Sequence, residues 1–67
     1  MSDQEGTLDE VVRLLALLIR RGSDTQTEAI IEMSRAGFKP SRIADLLGTT
    51  ANTASVTVQR ARKEGRV

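Results

Sequence analysis

Glycine punctuates this chain. Gly22, Gly37, Gly48 and Gly65 each close a stretch whose apolar residues recur at helical spacing. A glycine in that place ends a helix at little cost, because it enters the left-handed backbone region without a Cβ clash. No stretch alternates apolar and polar residues for long enough to make a strand instead. Start signals agree with the stops: Thr7 and Glu10 have capping-box spacing, as do Ser23 with Gln26 and Thr25 with Glu28. Pro40 suits a first helical turn, where no amide proton is needed, and Thr50 can cap through its hydroxyl. The expectation is an all-α chain of four short helices near 7–21, 24–36, 40–47 and 50–64. A loose acidic tail over 1–6 precedes them, and residues 7–67 form a single helical domain.

With 67 residues the chain stands near the lower limit at which one apolar core holds a fold together, so an oligomer is a natural source of further burial. Phe38 is the only aromatic residue, which requires an aliphatic core and leaves no stacking platform for single-stranded nucleic acid. Cysteine and histidine are absent, excluding disulfides, the usual zinc sites and nucleophilic catalysis built on either residue. The carboxylates are scattered and no glycine-rich phosphate loop is present, so no enzyme, cofactor or metal is expected. The longest apolar run, Leu14 to Ile19, is far shorter than a bilayer span and follows no basic leader. A soluble, cytoplasmic protein without a membrane partner is expected.

Net charge is only +1, but it is unevenly distributed. Residues 1–10 carry Asp3, Glu5, Asp9 and Glu10 with no cation. Residues 11–34 balance three arginines against three acids, and residues 35–67 hold seven cations against two acids. The positive excess therefore lies in the second half of the chain, as in a domain that meets a polyanion with one side.

Between Gly37 and Lys63 that half reads GFKPSRIADLLGTTANTASVTVQRARK. Two helices joined by a turn at Leu47-Gly48-Thr49 make the geometry that lays one helix across the DNA backbone and the next in the major groove. Ala44 is small where the helices cross, and Ile43, Leu47, Ala54, Val58 and Ala61 fall on inward faces. At about 100° per residue, Asn52, Ser55, Val56, Gln59 and Lys63 then turn outward. Asn and Gln can pair with adenine, and the Val56 methyls can touch a thymine methyl. Asn52, Ser55, Val56 and Gln59, with Ala51 close by, are the candidate base contacts. Lys39, Ser41, Arg42, Thr50, Arg60, Arg62, Lys63 and Arg66 flank that face as candidate phosphate contacts. The bland alternative stays open beside these roles: the outward residues are solvated side chains, and Arg62, Lys63 and Arg66 complement a helix C-terminal dipole.

The stretch resembles the region 4 helix-turn-helix of bacterial sigma factors and the related LuxR-type response-regulator domains. Ile43, Ala44, Asp45, Leu47, Gly48, Thr50, Thr53, Arg60, Ala61, Arg62 and Lys63 match that pattern without a gap, within a resemblance covering residues 25–64. The chain departs from it at Ala54 and Thr49, which stand where those families place larger apolar residues. It departs again at Ala51, Ser55 and Val56, where they often carry Lys or Arg. The resemblance implies a helix-turn-helix over 24–64, double-stranded DNA as partner, and the capacity of region 4 domains to dock on RNA polymerase or a regulator.

The first helix raises a separate question. Apolar positions 8, 11, 12, 15, 18 and 19 make one stripe, enough to pack against the rest of the domain. Leu14 and Leu17 lie outside it, leaving a narrow polar strip around Asp9, Arg13 and Arg20 with Glu10 and Arg21 at its margin. Ile31 likewise points away from the stripe of Ala29, Ile30, Met33 and Ala36. A helix apolar over so much of its circumference has two faces to bury. One reading is a homodimer with helix 7–21 at the interface, contacting through Leu8, Val11, Leu14, Leu15, Leu17, Leu18 and Ile31; the other sinks the helix in its own monomer. A leucine zipper would need more heptads. Two functions follow from the sequence. One is a sequence-specific duplex-DNA-binding transcriptional regulator acting as a homodimer. The other is an interaction module that binds RNA polymerase or another regulator through the apolar first helix.

Overall fold

A computed structural model describes residues 2–67, with side chains from residue 6 onward. Four helices, and no strand, occur among the described residues: α1 Ser2–Gly22, α2 Gln26–Arg35, α3 Pro40–Leu47 and α4 Ala51–Lys63. None is long and apolar enough to cross a membrane.

Three of the four starts lie within two residues of their expected positions. Thr25 caps α2 by accepting the Glu28 amide at 3.2 Å, so it and not Ser23 is the cap. The Ser23 hydroxyl instead donates back to the Ile19 carbonyl at 2.6 Å. Pro40 opens α3, and Thr50 caps α4 by accepting the Thr53 amide at 3.1 Å. The first helix departs from expectation. It begins at Ser2, so the expected loose tail over 1–6 is helical from Ser2 on, and Met1 lies outside the described residues. Gly6 inside a helix costs only about 1 kcal/mol relative to alanine. Each residue added to a formed helix gains a backbone bond for one residue fixed, and that gain carries α1 past the Thr7 signal.

The core is aliphatic. Ala16, Ile30, Met33, Ile43, Ala44, Leu46, Ala54 and Val58 form one buried cluster, edged by half-buried Val12, Ile19, Phe38 and Leu47. Leu46, not Leu47, is the more buried leucine of α3. Leu47 stands at the rim, where its carbonyl accepts the Gln26 side-chain amide at 3.3 Å and ties the end of α3 to the start of α2.

The rotation of α1 overturns the expected packing of its stripe. Only Ala16 is buried in that helix, with Val12 and Ile19 half-buried beside it. Leu8, Val11, Leu15 and Leu18, expected to pack inward in part, stand 46–64% exposed, as do Leu14 and Leu17. The strip expected to meet solvent faces the rest of the chain. Arg42 of α3 donates to Asp9 at 2.7 Å and to Asp45 at 3.2 Å, while Arg13 donates to Asp9 at 2.7 Å and to Asp45 at 3.0 Å. Arg20 donates to the Gln26 side-chain oxygen at 2.9 Å. The small side chain of Ala16 permits a close helix crossing, and the complementary charges lie beside it.

Ile31 corrects the expected dimer surface. It is 1% exposed, and it lines one shallow groove with Thr57 and Ala61 of α4 and Arg66 of the C-terminal segment. Its second apolar direction is covered by the chain itself.

The Arg42 guanidinium, and after it that of Arg13, hold the Asp9 carboxyl below its ordinary value of 3.8. A depressed folded value means that the contribution of Asp9 is present above the unfolded value and disappears as pH falls through the folded one. Thermal melts of the wild type and Asp9→Asn should therefore differ at neutral pH and converge as the pH falls through the folded value. A gap that persists in acid would assign the effect to packing and not to the ion pairs.

Candidate nucleic-acid interface

The corner between α3 and α4 presents the second of these helices. The connection is Gly48-Thr49-Thr50. Gly48 takes φ 73°, a left-handed conformation that a β-branched residue resists. The Gly48 amide bonds back to the Ala44 carbonyl, and the Thr49 amide reaches the same oxygen at 3.0 Å. These bonds use up an α3 carbonyl that would otherwise be left open at the helix end. Ala44 and Ala54 are both buried in the core cluster, and their small size lets α3 and α4, the most closely packed helices, approach.

Ala54, Val58 and Ala61 are the buried side of α4. Opposite them, Asn52, Val56, Gln59 and Lys63 follow one another at spacings of four, three and four residues and so share one outer face. All four are exposed, Val56 at 37%. Ala51 is exposed at the first position of the helix, and Ser55 is half-buried at the margin of the face. Among the described residues, neither Asn52 nor Gln59 uses its side-chain amide on another residue of the chain. Each amide offers donors and an acceptor in one plane.

The cations divide into two groups. Arg60, Arg62 and Lys63 occupy the last turn of α4, exposed and without an ion pair among the described residues. Lys39 and Ser41 are likewise exposed and unpaired at the start of α3. Arg42 is held by Asp9 and Asp45. Arg66 is held by Glu28 and Glu64 while its carbonyl accepts Arg35 at 2.8 Å, and the Glu28 carboxylate pushes its pKa up. Thr50 is occupied by its cap and by a hydroxyl contact to Thr53 at 2.9 Å. Of the eight residues expected at phosphate, five are thus unengaged within the chain, and Arg42, Arg66 and Thr50 hold intrachain bonds that phosphate would have to replace.

Two features escaped the sequence. The spacing of Asp9 with Arg13 and of Arg42 with Asp45 is visible as local pairs, but their union into one network joins α1 to α3 across more than thirty residues. Thr53, which matches the family pattern but was given no contact role, is exposed beside the cap and adds a hydroxyl next to the outer face. Among the described residues no group of three or more His, Cys, Asp or Glu could hold a metal ion. The arrangement offers hydrogen-bonding amides, a methyl surface and terminal cations along one exposed helix. No protein-family model matches the chain, and no curated protein or solved structure does either.

Proposed function

We propose that this chain is a small sequence-specific regulator of transcription that binds duplex DNA, with α3 and α4 acting as a helix-turn-helix of the sigma region 4 and LuxR type and α1 joining two copies. The outer face of α4 carries the proposal: Asn52, Val56 and Gln59 exposed in one row, the two amides unpaired, and a cluster of free cations at the helix end. An α-helix fits the major groove, where Asn and Gln read adenine by paired hydrogen bonds and a methyl-bearing side chain meets thymine. Arg60, Arg62 and Lys63, with Lys39 and Ser41 from the start of α3, supply phosphate contacts that set register without reading sequence. Two copies related by a two-fold would reach successive major grooves about 34 Å apart and favour a pseudo-palindromic site. A cytoplasmic location accompanies this role, and no catalytic step is assigned.

The second reading is an interaction module for RNA polymerase or another regulator, favoured by the six exposed aliphatic side chains of α1. Gel-shift measurements on duplex DNA with the wild type and Asn52→Ala/Gln59→Ala separate the two. Each paired amide contact contributes about 1–3 kcal/mol of discrimination. The double variant should therefore lose on the order of tenfold or more in its preference for the best site over random duplex, with the fold unchanged by circular dichroism. An equal loss on every sequence would move Asn52 and Gln59 to the backbone. Wild type that binds no duplex at low salt would leave the interaction module.

A further inference from the structure

We propose that the exposed face of α1 seats a second copy of this chain in antiparallel orientation, with Glu10 of each copy beside Arg21 of the other. The orientation deepens the homodimer reading and rests on it.

The helix turns the row of half-buried Val12, buried Ala16 and half-buried Ile19 toward α2 and α3. Leu8, Val11, Leu14, Leu15, Leu17 and Leu18 are exposed around the rest of the helix, each by 46% or more, with Leu8 and Leu15 at the edge next to that row. Their uncovered apolar surface is roughly 600 Å², the upper end for a free monomer. A stable interface of standard size takes about 800 Å² from each partner, most of which this one helix face supplies.

Charge specifies the occupant. Glu10 and Arg21 are the charged residues set among the leucines, one toward each end of the face, and both are exposed. Eleven residues are close to three turns, so both stand on the same edge of the helix. Neither has an ion-pair partner among the described residues. When two identical helices pair antiparallel about a two-fold, each edge meets the same edge of its partner run in reverse. Glu10 then approaches the partner's Arg21, and the contact occurs twice. A parallel pair would set this edge against the opposite one, where Leu8 and Leu15 lie, and leave both charges without a counter-ion.

The apolar residues fit the same register. A two-fold between Leu14 and Leu15 sets Val11 against the partner's Leu18, both near the middle of the face. Glu10 then lies about 3 Å along the axis from the level of the partner's Arg21, within reach of an arginine side chain.

Sedimentation equilibrium of the full chain without DNA tests the assembly, and charge reversal tests its orientation. The wild type should be a dimer. Leu14→Glu, at an exposed position that leaves the helical spectrum intact, should raise the dissociation constant at least a hundredfold by setting two carboxylates among leucines. E10R and R21E should each weaken the dimer about fivefold to tenfold, and the double variant should return to within about threefold of wild type, its pairs being complementary again. Because the chain has no cysteine, Val11→Cys protomers mixed with Leu18→Cys protomers should oxidise to a mixed disulfide in preference to either symmetric one. A monomeric wild type would overturn the proposal, including the case in which the face captures only a foreign protein. Absence of charge rescue, or a preference for the symmetric disulfide of Val11→Cys, would overturn the orientation. A dimer that shifts no DNA would sink the DNA-binding reading alone, and a monomer that shifts DNA would sink only the dimer.

Discussion

Replacing Arg60, Arg62 and Lys63 together with alanine is expected to weaken duplex binding roughly a hundredfold at about 0.15 M salt, on every sequence alike. The three side chains are exposed in the last turn of α4 and free of ion pairs among the described residues. Among the described residues no carboxylate therefore competes for them, in contrast to Arg42 and Arg66. Each phosphate neutralised releases close to one condensed counter-ion, so three lost contacts flatten the dependence of log K on log salt by about 2.7. The salt slope is the decisive measurement. The same cations also complement the C-terminal end of the α4 dipole, which contributes about 0.3–1 kcal/mol and disappears from the melting curve of the variant. A lower melting temperature with an unchanged salt slope would restrict these residues to that structural role.

Ile43→Ala is expected to lower the melting temperature by more than about 10 °C, the largest stability effect of any single substitution considered for this chain. Ile43 is 0% exposed, among the largest fully buried side chains, and sits in the cluster that joins α1, α2, α3 and α4. Truncation of a buried isoleucine costs about 2–5 kcal/mol, the spread reflecting how far the surroundings close over the cavity. A domain of this size has roughly 3–10 kcal/mol of stability in total. Ile43→Leu conserves volume and should cost less than about 1.5 kcal/mol. Melting followed by circular dichroism at a fixed chain concentration checks both, since self-association makes the midpoint concentration-dependent. An alanine variant that melts within a few degrees of wild type would mean that α3 is not held by this cluster. The same unfolding would remove α4's support, so loss of DNA binding in Ile43→Ala carries no information about base contacts.

Local chemistry was legible in advance wherever it is decided within one turn of chain. Thr50 as a cap, Pro40 at a first turn and Gly48 in a left-handed closure each depend on a residue and its next three or four neighbours. The same holds for the division of α4. Once Ala54, Val58 and Ala61 are inward, helical geometry leaves Asn52, Val56, Gln59 and Lys63 on the other side. Between Ser23 and Thr25, however, two equivalent caps competed. The choice fell to Thr25, with the Ser23 hydroxyl turned back to Ile19.

Legibility ended where a partner from elsewhere in the chain decides. The apolar periodicity of α1 shows which side of the helix avoids water, but says nothing about which side finds a neighbour within the monomer. Ala16 sits at the crossing with Asp45 and Arg42 beside it, and the side with less apolar surface is the one covered. Ile31 is the converse: it stands off its own helical stripe, and α4 covers it.

What this sequence determined by itself is the set of helical segments, their turn at Gly48 and the outward row on α4, because backbone preference and 3.6-residue periodicity act over a few residues. The tertiary structure alone decided the rotation of α1, the cover over Ile31 and the capture of Arg42 and Arg66 by carboxylates. Each of these is a competition between distant groups for the same contact, and only the packed chain brings the competitors within reach.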